Sequence, residues 1–251
     1  MRLSEDLVMD TCLLAGEIML KSGGETYRTE ETMAHIARAA GMHGVHSFVT
    51  PTSIILSYRF GDKDYTRMIR TPDRTIDLHK VTLVNEVSRK FVSGKITLRE
   101  AYLSLREIDQ RKKIYPTWLQ NLAAGMASGS FTLLIGASWA DLMPTILAGI
   151  VVNVSVALFE PFLRVKFFSE FMAAFMGGLV VLLFTTFFPQ LRLDLMLIGT
   201  MLPLFPGIAV TNSLRDLMAG DLMAGTSRGV EALLTALSVA VATAIILALG
   251  R

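Results

Sequence analysis

The feature that most limits how this chain can fold is a set of long apolar runs in its second half, each close to a bilayer in length. A helix crossing the hydrocarbon core needs about 20 mostly apolar residues. Five stretches meet that need: 119–137, 142–159, 167–188, 194–214 and 229–249. Residues 121–251 hold only 6 of the chain's 24 Lys and Arg, and 7 of its 22 Asp and Glu. The third and fifth stretches are the clearest, because each has a single acid near one end, Glu170 and Glu231. Charged residues make up 18% of the whole chain, against about 25% in a soluble domain. That excludes an ordinary soluble globule, and the high apolar content excludes disorder.

Residues 1–120 carry the other 18 basic and 15 acidic residues. The pattern predicts a water-facing α+β domain over 1–115 and a membrane α-helical domain of five transmembrane helices, one broken by Pro, over 116–251. In the first domain, Leu7, Leu14 and Ile18 recur at helical spacing, and a second helix runs to Gly41. Val45 to Arg59 turns β-like and is cut by Pro51; a turn at Gly61-Asp62 leads to a third strand. Two more helices follow, separated at Gly94, the last opened by a capping box at Thr97 and Glu100. The expected order is α-α-β-β-β-α-α. Arg111-Lys112-Lys113, Arg164 with Lys166, and Arg215 with Arg228 fall on one side of the spans; only Arg192 and Arg251 fall on the other. This asymmetry predicts a multi-pass inner-membrane protein with a cytoplasmic N-terminus. The first residues do not read as a cleavable signal peptide.

Leu202-Pro203-Leu204-Phe205-Pro206-Gly207 interrupts the fourth span. Proline removes a backbone donor and clashes with the preceding turn. Broken helices in a bilayer face protein or a water-filled path, and transporters bind substrate at such breaks. The plainer reading is a kink without a ligand. Downstream, Asn212 shares a helical face with Arg215 and with Asp216. Arg215 could clamp a carboxylate, and Asn212 could orient it; alternatively, these residues simply meet water at the membrane boundary. Asp216-Leu-Met-Ala-Gly220 is repeated without change as Asp221-Leu-Met-Ala-Gly225. Five is not a helical period, so the repeat reads as a turn or short interfacial helix, with Asp221 at most a gating residue. Asn153 and Glu160 share a face of the second span. Intramembrane polar groups are costly and are functional candidates, so Glu160 and Glu231 are possible coupling or gating residues, and Asn153 either lines a path or bonds a neighbouring helix. Gly125-x-x-x-Gly129, Ala173-x-x-x-Gly177 and Ala174-x-x-x-Gly178 allow close helix packing.

Ser22-Gly23-Gly24-Glu25-Thr26-Tyr27-Arg28 reads as a turn and helix cap; no Walker-type lysine follows, so a nucleotide is not supported. His35, His43 and His46 lack the cysteines or acids a metal centre would add. Cys12, the one cysteine, excludes an internal disulfide. No nucleophile signature argues for an enzyme, and interleaved charges argue against nucleic acid. No cofactor is implied.

The Ser22–Arg28 stretch, Phe48-Val-Thr-Pro-Thr52, and Leu202–Gly207 through Asn212–Asp221 together resemble the threonine/serine exporter family, across essentially the whole chain. The resemblance implies a cytosolic N-terminal domain and an inner-membrane domain that exports small metabolites such as threonine and serine. It implies the larger partner of the family's split form, whose second half is a separate small membrane protein. Split members of this kind are linked to dicarboxylates such as succinate. Few spans for an alternating-access transporter also point to a partner subunit or an oligomer in the lipid. The resulting expectation is an exporter subunit for small carboxylates. Asn153, Pro203, Pro206, Gly207, Asn212, Arg215 and Asp216 would bind the substrate. The rival is a membrane-anchored ligand-sensing or regulatory module.

Overall fold

In a computed structural model of the chain, residues 2–71, 75–111, 115–163 and 166–250 are described. Lys112, Lys113, Arg164 and Arg251, used above to orient the spans, lie outside them. The chain forms two units. The first is Met1–Lys112 with Ile208–Gly229, and the second is Lys113–Gly207 with Val230–Arg251.

The first unit begins with helices α1 (Arg2–Lys21) and α2 (Thr26–Ala39). Strands β1 (His43–Thr50), β2 (Ser53–Phe60) and β3 (Lys63–Arg70) and helices α3 (Leu78–Val92) and α4 (Leu98–Gln110) follow. This is the order the sequence pattern predicts. The strands form an antiparallel meander, β1-β2-β3, with Thr50 opposite Ser53 at the Pro51 turn and Phe60 opposite Lys63 at the Gly61 turn. Along β2, Ile54, Leu56 and Tyr58 alternate inward and are fully buried. They pack with Val8, Cys12 and Met19 of α1, Met33 and Ile36 of α2, and Leu105 of α4. Burial pushes the Cys12 thiol up to about 12, which leaves it an unreactive core group. The capping box is present: Glu100 accepts from the Thr97 amide at 2.7 Å, and the Thr97 hydroxyl accepts from the Glu100 amide at 3.3 Å.

The first unit is completed by α9 (Gly207–Met218) and the start of α10 (Leu222–Leu249). The repeated pentapeptide joins them. Gly220 sits at φ +89 in the turn, a conformation that favours glycine. Asp221 then caps α10 by accepting from the Ala224 amide at 3.0 Å. The second copy of the repeat therefore starts a helix, whereas the first ends one.

In the second unit, α5 (Thr117–Leu134), α6 (Trp139–Leu163), α7 (Lys166–Phe187) and α8 (Leu193–Thr200) pack around Ala148, Val152, Ala173, Ala174, Val181 and Leu197. The small-residue spacings work within the chain. A Cβ on Gly125 would stand 2.6 Å from the Ile146 carbonyl oxygen, and one on Gly178 would stand 2.6 Å from Ile246. Among the described residues, α6, α7 and α10 are long and apolar enough to cross a membrane, with mean hydropathies of 2.1, 2.0 and 2.5. Their most apolar stretches are only 39, 33 and 22% buried, which leaves wide apolar sides of the kind a bilayer covers. The pair Leu193–Leu204 and Gly207–Met218, bent by 60° at the proline break, brings the number to four if it is one span. Five spans were expected. The difference is α5, whose Gln120, Asn121 and run of Gly and Ser dilute its hydropathy.

Candidate functional site

The polar centre of the first unit lies where the start of α2 meets α9 and the start of α10. Helix α1 closes in a tight turn, with the Gly24 amide donating to the Met19 carbonyl at 2.8 Å. Gly23 takes φ +86. A Cβ on Gly24 would stand 2.8 Å from that same Met19 oxygen, so the Gly-Gly pair permits the turn. The turn presents two carbonyls. Asn212 Nδ2 donates to Gly23 O at 3.0 Å, and Arg228 Nη2 donates to Gly24 O at 2.9 Å. The next two residues supply side chains. Thr26 Oγ1 donates to Asp216 Oδ1 at 2.7 Å, and the Arg215 guanidinium donates to Glu25 Oε1. Arg228 Nε stands 3.3 Å from Asp216 Oδ2, and Arg28 stands 3.5 Å from Glu25 Oε2. Within this layer, Glu25 and Asp216 meet three arginines, Arg28, Arg215 and Arg228.

Burial is uneven across it. Asp216 is fully buried and Glu25 is 6% exposed, but 55% of the Arg215 side chain is exposed. Burial raises the Glu25 carboxyl, yet the Arg215 hydrogen bond, the Tyr27 hydroxyl and the charges of Arg215 and Arg28 outweigh it and hold it below the usual carboxylate range. Glu30, one turn along α2, goes the other way. Burial raises it first, the Val49 amide at 2.8 Å opposes that, and Asp221 and Asp216 raise it further.

Asn212, Arg215 and Asp216 are thus brought together, with partners the sequence reading took for a plain cap: Gly23, Gly24, Glu25 and Thr26, and also Arg228. Glu25 occupies the N-cap position of α2 without capping it through its side chain. Its carboxylate is turned to Arg215 instead. The other expected residues belong elsewhere. Asn153, in the second unit, donates to Asn121 on α5 at 2.7 Å. Glu231 receives Lys166 Nζ at 3.1 Å. Glu160 lies in the last turn of α6, and Asp221 is the α10 cap.

At the break, the amides of Leu204, Phe205 and Gly207 donate to the carbonyls of Met201, Leu202 and Phe205, and Pro203 and Pro206 have none. Every donor from 203 to 207 is therefore spent or absent. A cavity of about 750 Å³ beside the break is lined by Phe131, Met201, Phe205, Pro206, Val239 and Leu247 among others, an apolar set apart from Thr243, whose hydroxyl donates to the Val239 carbonyl at 2.8 Å. Among the described residues, no three His, Cys, Asp or Glu side chains stand together as a metal site.

A family model for threonine/serine exporters (ThrE) matches residues 10–250. The Escherichia coli (strain K12) protein named "Probable succinate transporter subunit YjjP" is 25% identical over 230 residues, covering 89% of this chain and 88% of that protein. A Klebsiella aerogenes protein of the same name is 25% identical over 236 residues, covering 89% and 87%. A Mycobacterium tuberculosis protein named "Probable threonine/serine exporter" is 26% identical over 235 residues, covering 90% of this chain but 43% of that one. No solved structure matches the chain.

Proposed function

Because the chain belongs to the threonine/serine exporter family, we propose that it is one subunit of a secondary exporter that moves small carboxylate metabolites out of the cytoplasm. The substrate is threonine, serine or a dicarboxylate such as succinate. Residues 1–115 face the cytoplasm, the spans lie in the inner membrane, and a smaller membrane subunit of the same family completes the path. The observation that carries this reading is the half-exposed Arg215 set among the buried Glu25, Asp216, Arg228 and Asn212. An exposed guanidinium fork held in place by buried neighbours suits a carboxylate. Arg215 neutralises the substrate, Asn212 orients it, and Asp216 with Arg228 holds α9 and α10 against the Gly23-Gly24 turn. Pro203, Pro206 and Gly207 act as a point of bending, and Asn153 with Asn121 steadies the pairing of α5 with α6.

Efflux from proteoliposomes tests this, using the chain with and without the small subunit and preloaded threonine, serine or succinate. Arg215→Ala, inserted normally, is expected to abolish efflux of whichever substrate moves. Undiminished efflux from that variant removes Arg215 from the site.

A further inference from the structure

The second unit holds an acid that the reading above does not use. Glu170 lies one turn into α7, a helix of mean hydropathy 2.0. An acid inside a span is expensive and usually functional. Glu170 is 8% exposed, and its Oε2 has no hydrogen-bond partner. The cation one turn before it is Lys166, whose Nζ stands 3.9 Å from Glu170 Oε1, beyond hydrogen-bonding reach. That ammonium is instead given to Glu231 of α10 at 3.1 Å. The Thr235 side chain, buried one turn further along α10, hydrogen-bonds Glu170, and Glu160 in the last turn of α6 adds negative charge nearby. The Lys166 side chain is 56% exposed, so this end of the group opens outward.

A buried carboxylate with one orphaned oxygen and its cation engaged elsewhere is costly as an ion and far cheaper as a neutral acid. With Lys166 on Glu231, Glu170 is left with an oxygen that a proton can occupy. The alternative arrangement needs only a swing of the Lys166 stem: the ammonium crosses to Glu170, whose O–H bond breaks. The electron pair stays on the carboxylate, and the proton leaves to water at the Lys166 end. We propose that Glu170 is a proton-binding site of the transport cycle and that Lys166 alternates between Glu231 and Glu170 as the proton comes and goes. This rests on the exporter reading and supplies its coupling ion.

Infrared spectroscopy of the purified full-length chain in lipid reads the proton without needing transport. A protonated-carboxyl band that titrates with pH and is missing in Glu170→Gln is expected. A spectrum left unchanged by Glu170→Gln overturns the proposal. Should that variant fail to insert, Glu170→Asp serves in its place and must move the band. In proteoliposomes whose wild type exports, an imposed gradient of about one pH unit supports an about tenfold accumulation per proton carried. Glu170→Gln should keep substrate exchange across equal concentrations and lose that accumulation. Gradient-driven accumulation by Glu170→Gln equal to wild type overturns the proposal. Failure of the wild type to move any substrate counts against the exporter reading alone, and the infrared band then decides the fate of the proton site.

Discussion

Arg215 and Asp216 are adjacent, yet their environments assign them different work. Asp216 is fully buried and faces Arg228 and Thr26. Removing one member of a buried ion pair leaves its partner uncompensated and costs about 3–5 kcal/mol. Asp216→Ala is therefore expected to lower the unfolding midpoint of the membrane-embedded protein sharply, as read by thermal denaturation. Arg215 is half exposed but pairs with the buried Glu25 carboxylate, so its replacement by Ala should cost less stability than Asp216→Ala, with a large loss of efflux. Glu25 sets a pH dependence. Its carboxyl is held below the usual range, so its ion pair contributes stability at neutral pH, above the ordinary Glu value of about 4.3. That contribution is lost as pH falls through the lowered value. Melting midpoints of wild type and Glu25→Gln should thus differ at pH 7 and converge in acid. A constant difference across that range would place the effect of Glu25 outside its charge.

The elements of the first unit were legible because local signals coincide: Gly41, Pro51, Gly61 and Gly94 stand at breaks, and Thr97 with Glu100 starts a helix by itself. The ion-pair layer was not, because Glu25 and Arg215 are 190 residues apart and no periodicity joins them. What the sequence did offer was a Gly-Gly followed by an acid, in which the second glycine has no Cβ to clash with Met19. The number of apolar spans stands at three or four, and not five, for a comparable reason. Length marked α5 as a crossing, but Asn121 serves Asn153 and its two glycines, Gly125 and Gly129, serve contact with α6, so its composition follows a neighbouring helix more than lipid. Gly125→Leu should accordingly destabilise the second unit by about 1–3 kcal/mol, the usual cost of overpacking. A lower thermal midpoint than wild type after extraction in detergent would show it; an unchanged midpoint would mean that α5 and α6 can part freely.

The first unit draws on both sides of the composition shift, Met1–Lys112 and Ile208–Gly229. The charge shift near residue 115 separates a water-facing part from the spans. The Gly23 and Gly24 carbonyls, Glu25 and Thr26 receive or supply four side-chain contacts from α9 and α10. Deleting residues 1–115 orphans Asn212, Arg215, Asp216 and Arg228 of those contacts together, and is expected to abolish efflux rather than deregulate it; substantial efflux from the truncated chain would refute this. The same discontinuity has a consequence for biosynthesis. The stretch Ile208–Gly229 that completes the first unit leaves the ribosome only after residues 113–207 have been made. At about 5–20 residues per second, the finished N-terminal segment waits on the order of 5–20 s for its last strand of contacts, with Glu25 and the Gly23-Gly24 carbonyls open to water. The nascent first unit is therefore a fold kept in suspense, and membrane insertion of the intervening helices sets the time at which it can close.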